Sequence, residues 1–160
     1  MRRWESGATG GTVVGGGDGK GSANNQLKSP DGVDVNGAGN KYIEDYNHRI
    51  MKWEPGATVG TVVAGGNGYG SGLNQLGNPF GVTLDSSGNI YVADYYNHRI
   101  MKWEPGATVG TVVAGGNGKG SATNQLKSPY GVDVDGSGNI YIADLNHRIM
   151  KWEPAATVGT

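Results

Sequence analysis

"YNHRIMKWEPGATVGTVVAGGNG" runs from Tyr46 to Gly68 and recurs, letter for letter, from Tyr96 to Gly118. A third copy opens at Asn146-His147-Arg148. Self-similarity at a fixed spacing is the signature of a repeat architecture, so the spacing is the first quantity to extract. Trp4, Trp53, Trp103 and Trp152 mark it, and Gly39, Gly88 and Gly138 mark it again: the period is 49 or 50 residues. The odd residue falls at one joint, Asp45-Tyr46-Asn47 in the first copy, Asp94-Tyr95-Tyr96-Asn97 in the second, Asp144-Leu145-Asn146 in the third. A length change confined to one place marks an exposed turn. So faithful a repetition is the mark of recent amplification or of engineering.

The middle copy divides into four short runs. Phe80 to Asp85 is rich in β-branched residues and lies between Pro79 and Ser86-Ser87-Gly88-Asn89, which reads as a strand (a) entering a hairpin. Ile90 to Asp94 follows as strand b, with Gly88 free to take the positive φ that such a turn needs. Arg99 to Glu104 is strand c, stopped by Pro105-Gly106. Thr108 to Ala114 is strand d, and a glycine-rich stretch to Pro129 leads to the next strand a. No window carries an apolar period of 3.6, and glycine interrupts every candidate, so the fold is expected to be all-β. Four antiparallel strands in a unit of this length is the pattern of a propeller blade. Blades are covered on both faces, which accounts for the unbroken apolar run Ile140 to Ala143. The expected organisation is one strand d over 9–14, blades over 31–64 and 80–114, and strands a, b and c over 130–153.

The chain has 160 residues, a net charge of -1 and no cysteine. That balance gives no electrostatic footprint for nucleic acid or an anionic membrane, and disulfide and thiolate–metal chemistry are excluded. No apolar run is long enough to span a bilayer or form a signal core, so the expectation is a soluble chain with no readable address. With 31 glycines and 6 prolines the composition leans toward disorder. The regularly spaced tryptophans, tyrosines and β-branched runs argue for a packed fold instead.

Asn89-Ile-Tyr-Val-Ala-Asp94, then Asn97-His98-Arg99-Ile100, preceded by Pro79-x-Gly81-Val82 and Asp85 and followed by Lys102-Trp103, resembles the NHL repeat, with arginine at the third letter. The resemblance implies a β-propeller, usually of six blades, with strand a innermost and strand d outermost. It also implies a last blade built from both chain ends as a clasp. Three blades leave an open arc, since propellers close with about four to eight. The count comes to twelve strands, with the N-terminal strand d supplying what the C-terminal a-b-c unit lacks. The expectation is therefore a homodimer in which each copy completes the other's blade and two copies close a six-bladed ring, the alternative being a fragment of a longer propeller.

Several constellations invite chemistry. Asp133-x-Asp135-x-Ser137-Gly138 with Asp144 imitates a calcium loop. A strand would carry Asp144 about 20 Å from that turn at ~3.3 Å per residue, so an Asp and Gly-Asn hairpin is the better reading. Gly115-Gly-Asn-Gly-Lys-Gly-Ser121 imitates a phosphate cradle but lacks the Ser or Thr after the lysine and the following helix, and Tyr69 stands in the lysine's place in the middle copy. His48, His98 and His147 come once per repeat, which duplication yields without any metal. Similar propellers include a zinc-dependent amidating lyase, but the places that correspond to its metal histidines hold Asp31, Phe80 and Tyr130, and a lactonase set is not recognisable either. RNA binding, known among NHL relatives, is disfavoured by charge. Asp45 with Arg49, Asp94 with Arg99 and Asp144 with Arg148 flank the b-c turns and read as structural turn pairs.

What remains is a face where the b-c turns meet the d-a loops: Tyr46, Asn47, His48, Tyr95, Tyr96, Asn97, His98, Asn146, His147, Phe80 and Tyr130. Such groups suit a protein or small ligand. Lys41 and Glu44 stand where the other copies have isoleucine and alanine, and a charge on a blade face needs a partner or water. The expectation is a non-catalytic, self-assembling scaffold with generic binding on this face, requiring no cofactor and no catalytic residue; a lyase- or lactonase-type enzyme and an RNA-binding domain are the alternatives.

Overall fold

The computed structural model describes residues 1–160. Thirteen short strands and one three-residue helical turn make up its regular structure. The first blade comprises β3 (Val33–Val35), β4 (Lys41–Asp45), β5 (Arg49–Trp53) and β6 (Thr61–Gly65). The second comprises β7 (Pro79–Leu84), β8 (Ile90–Asp94), β9 (Arg99–Trp103) and β10 (Thr111–Gly115). The third has three strands, β11 (Gly131–Val134), β12 (Ile140–Asp144) and β13 (Arg148–Trp152). All pairings are antiparallel between sequence neighbours, as in propeller blades.

The hairpins form where the turn chemistry places them. Between β7 and β8, the Asp85 carboxylate accepts the Ser87 and Asn89 N–H groups at 2.9 Å, and Gly88 takes φ 81°. Asp135 does the same before β12. The inserted tyrosine of the middle joint is absorbed as a helical turn over Tyr95–Asn97, which leaves the paired registers on either side intact.

The N-terminus departs from the expectation of one strand over 9–14. There β2 (Thr12–Val13) pairs with a second strand, β1 (Arg2–Arg3), which the sequence reading missed. Arg3 faces Thr12 as Lys52 faces Thr61 and Lys102 faces Thr111, so β1–β2 is the outer half of a blade, strands c and d in the internal register. At the other end Lys151 and Thr160 exchange two hydrogen bonds of 2.8 and 2.9 Å, so Thr160 lies beside Lys151 as Thr61 lies beside Lys52.

The core lies in the seams between sheets. Tyr42, Ile50, Ala64 and Leu76 of the first repeat pack on Ile90, Val92, Met101 and Trp103 of the second. The next seam repeats the set, with Tyr91, Ala93, Ile100, Ala114 and Leu126 against Ile140, Ile142, Met150 and Trp152. A smaller cluster, Leu27, Ile43, Met51 and Trp53, has Met1 packed against it. The outer face of the third blade is uncovered, and that of the first is covered only in part, by the N-terminal hairpin. Ile149 is 66% exposed where Ile50 and Ile100 are fully buried, and Val33 and Val35 are 45% and 54% exposed.

Candidate functional site

At one end of the blades the b-c turns meet the long d-a loops, and an aspartate–arginine strut joins them in each repeat. In the middle copy Arg99 Nε donates to Asp94 Oδ2 at 2.7 Å, and its other nitrogens donate to the carbonyls of Ser71, Gly72 and Gln75 at 2.8 to 3.3 Å. Asp94 Oδ1 accepts the Gly77 N–H at 2.7 Å. Arg49–Asp45 and Arg148–Asp144 repeat the pairing at 3.0 and 3.3 Å. Every strong donor and acceptor of the strut is spent inside the protein, so it is architecture and offers nothing to a guest.

The asparagines expected on the face are spent in the same way. The side-chain amides of Asn47, Asn97 and Asn146 donate to the carbonyls of Gly21, Gly70 and Gly120 at 2.8 to 2.9 Å, stitching turn to loop. Rings remain. Tyr46, His48, Tyr69, Tyr96, Tyr95 and Phe80 form a continuous row with successive centroids 5.1 to 6.3 Å apart. Tyr69 was outside the expected set because its loop reads as a glycine-rich connector; only the fold brings it beside His48 and Tyr96. Tyr130, Asn146 and His147 belong to the third blade and make no ring contact with this row.

The histidines lie on separate blades in left-handed backbone, with φ 60°, 54° and 59°. His98 Nδ1 accepts the Ser128 N–H at 3.0 Å. Burial first, and then the lysine charges of Lys28 and Lys119, push the His48 and His98 imidazoles below their usual range, so both are neutral at neutral pH. No group of three histidine, aspartate or glutamate side chains converges closely enough to hold a metal ion. Asp135 is occupied by its own hairpin, accepting from the Asn139 side chain at 2.8 Å and from the Tyr141 hydroxyl at 3.2 Å, while Asp144 is held by Arg148.

Glu44 stands apart. It is buried in the seam between the first and second blades, its Oε2 without a partner, and burial and then the charge of Asp31 push its carboxyl up to about 7. His48 Nδ1 and Asn78 Oδ1, which belong to the same seam, are also buried and unpartnered.

Residues 76–103 match the model of the NHL repeat. No curated protein matches the sequence. Among solved structures, the chain is similar to a structural-genomics protein of unknown function from Bacteroides thetaiotaomicron, with 20% identity and a TM-score of 0.71 over 94% of this chain and 40% of that one. It is also similar to an auxiliary nutrient binding protein from the same organism, with 20% identity and a TM-score of 0.59 over 74% of this chain and 36% of that one. The chain thus spans well under half the length of either, and likeness at this identity speaks for the fold alone. The matched segment is β7 to β9 with the residues just before it, so the chain carries an NHL repeat there, and the landmarks of that repeat recur in the other two copies.

Proposed function

We propose that the protein is a non-catalytic, self-assembling propeller scaffold: two copies close a six-bladed ring whose loop face is a binding surface. One observation carries this reading. The face pair used at the internal seams is only partly covered at the ends of the arc: Tyr141 and Ile149 are exposed on one side, and on the other Val33 and Val35 are exposed while Ile43 and Trp53 are buried in a small cluster on which Met1 of the N-terminal hairpin packs. Such a contact is heterologous, and it closes when the rotation of three blades, taken twice, completes a turn. Burying Val33, Val35 and Ile149 recovers about 1 kcal/mol each at each of the two joints.

At the joint, β2 of one copy extends strand d beside β13 of the other. This requires a displacement. β1 stands where the other copy's β13 would lie, and Met1 packs on the Ile43–Trp53 cluster as Ile50 and Ile100 pack on theirs. The hold is light, because Trp4 is 60% exposed while Trp53, Trp103 and Trp152 are buried.

Light scattering tests the reading. The expected mass is about 33 kDa, twice the 16.6 kDa chain. Deleting residues 1–14 removes β1 and β2 and leaves a monomer, whereas deleting residues 2–11 removes β1 alone and leaves a tighter dimer. A wild-type mass of 16.6 kDa at high protein concentration overturns ring closure.

A further inference from the structure

Three buried side-chain atoms in the molecule have no hydrogen-bond partner: Glu44 Oε2, His48 Nδ1 and Asn78 Oδ1. All three come from the seam between the first and second blades, at its loop-face end, where β4 turns into β5 and the chain enters β7. The next seam, built from the same repeat, has no such deficit. Ala93 replaces Glu44, Ser128 replaces Asn78, and His98 Nδ1 receives the Ser128 N–H. Buried polar groups are as a rule satisfied, so a cluster of orphans in one seam, absent from its twin, asks for an explanation.

The three atoms share a chemistry. A carboxylate oxygen, an amide oxygen and the nitrogen of a neutral imidazole can each accept a hydrogen bond. An imidazole and an amide each carry a donor as well, so His48 and Asn78 can serve one another, and Glu44 Oε2 is the acceptor left open to the cleft. A cleft of about 270 Å³ opens at this point, lined by Ser29, Pro30, Asp31, Glu44, Tyr46 and Phe80 among others. Asp31 adds a second carboxylate, and Tyr46 and Phe80 supply apolar walls. The rim already shows what it attracts, since Lys28 Nζ lies 5.3 Å from the centroid of the Tyr46 ring. A guest that is cationic, carries several N–H donors on one small head and trails an alkyl stem meets each of these features.

We propose that the seam between the first two blades is a binding site for a primary alkylammonium group, with Glu44 as the acceptor, Asp31 as the second charge, and Tyr46 and Phe80 packing along the stem. A lysine side chain of a peptide and a free alkylamine present the same head. The inference names a guest for the loop face of the proposed scaffold. It does not depend on ring closure, since both walls of the seam lie in one chain.

Titration calorimetry on the 160-residue protein at pH 8 tests it, with n-butylamine hydrochloride, a lysine-containing tripeptide and, as controls, n-butanol and the same peptide acetylated on Nε. Saturable binding of the amine and the lysine peptide, and of neither control, is expected; the peptide binding more tightly would identify a peptide as the source. Glu44→Ala restores the residue of the other two copies, so the variant should fold. Affinity should fall at least about tenfold in it, the loss of one charge-assisted hydrogen bond. It should also fall in the wild type as the pH drops from 8 to 5 and Glu44 takes up its proton. Equal binding by Glu44→Ala, equal binding of butanol, or no binding of either amine overturns the site. Light scattering on the same samples separates the two readings: a dimer that binds no amine removes the site and keeps the scaffold, and a monomer that binds amine does the reverse.

Discussion

Glu44 occupies the place of Ala93 and Ala143, two residues that fill a seam without asking anything of it. Its carboxyl, pushed up to about 7 by burial and then by Asp31, keeps its proton in the folded chain over a range where the unfolded chain, near 4.5, has lost it. The stability this proton supports is complete below pH 4.5 and disappears as the pH rises through about 7. Glu44→Ala is therefore expected to stabilise the protein by about 2 kcal/mol at pH 8 and to change little at pH 4, measured by urea unfolding at the two pH values. The strut residues work in the opposite sense. Removing Arg99 leaves Asp94 buried with its charge unpaired, so Arg99→Ala should cost about 3–5 kcal/mol. Arg148 is more exposed than Arg99, and Asp144 can draw on water once it is gone, so Arg148→Ala should cost less in the same experiment. The aspartate–arginine spacing announced the pairing in the sequence; that the guanidinium also gathers three loop carbonyls did not show, because those partners lie 24 to 28 residues away in a loop without periodicity.

At the scale of elements, the strands were legible because runs such as Ile90 to Asp94 are β-branched or aromatic and end at Gly, Pro or Asn. β1 was not, since Arg2-Arg3 is two residues long and carries no β-branched side chain; its identity comes from Trp4 and from the register of Arg3 with Thr12. The d-a loops looked like featureless connectors, yet each is braced from within. Gln75 Nε2 donates to the Asn67 carbonyl and Asn67 Nδ2 to the Asn74 carbonyl, with the same bonds from Gln125 and Asn117. Polar residues that fold a loop on itself leave no sequence period to read. The Gly-Thr that opens each strand d has a sharper reason. A Cβ on Gly110 would lie 2.8 Å from the Trp103 ring and 3.0 Å from Met101 Cε, and that ring is locked in the core. Gly110→Ala should destabilise by about 1–3 kcal/mol, the range for overpacking a well-filled core. Gly11→Ala meets the corresponding ring of Trp4, which is exposed and free to turn aside, so thermal unfolding should place it close to the wild type.

The molecule as a whole is an arc of blades, and the proposed ring would join its two ends as the blades are joined within the chain. Lys41 lies half-buried on the open face of the first blade, where Ile90 and Ile140 are enclosed, so its ammonium reaches water without a protein partner. The groove between this face and the N-terminal hairpin, about 790 Å³ and lined by Val33, Val35 and Trp53, corresponds to the groove that Tyr42 helps to line at the next seam. The first seam has no such tyrosine, and Tyr141, half out in solvent at the far end of the arc, is the residue in that position of the repeat. A charge on the far face should then separate assembly from folding. Ile149→Asp touches no internal seam, because its side chain lies outside every core cluster of the single chain, so the variant should keep the unfolding midpoint of a dissociated wild-type chain. In a closed ring the same aspartate would be buried at both joints without a partner, a burden of several kcal/mol. Sedimentation of Ile149→Asp at a concentration where the wild type is dimeric should give a single species of 16.6 kDa, and an undiminished dimer would mean that the copies meet through some other surface.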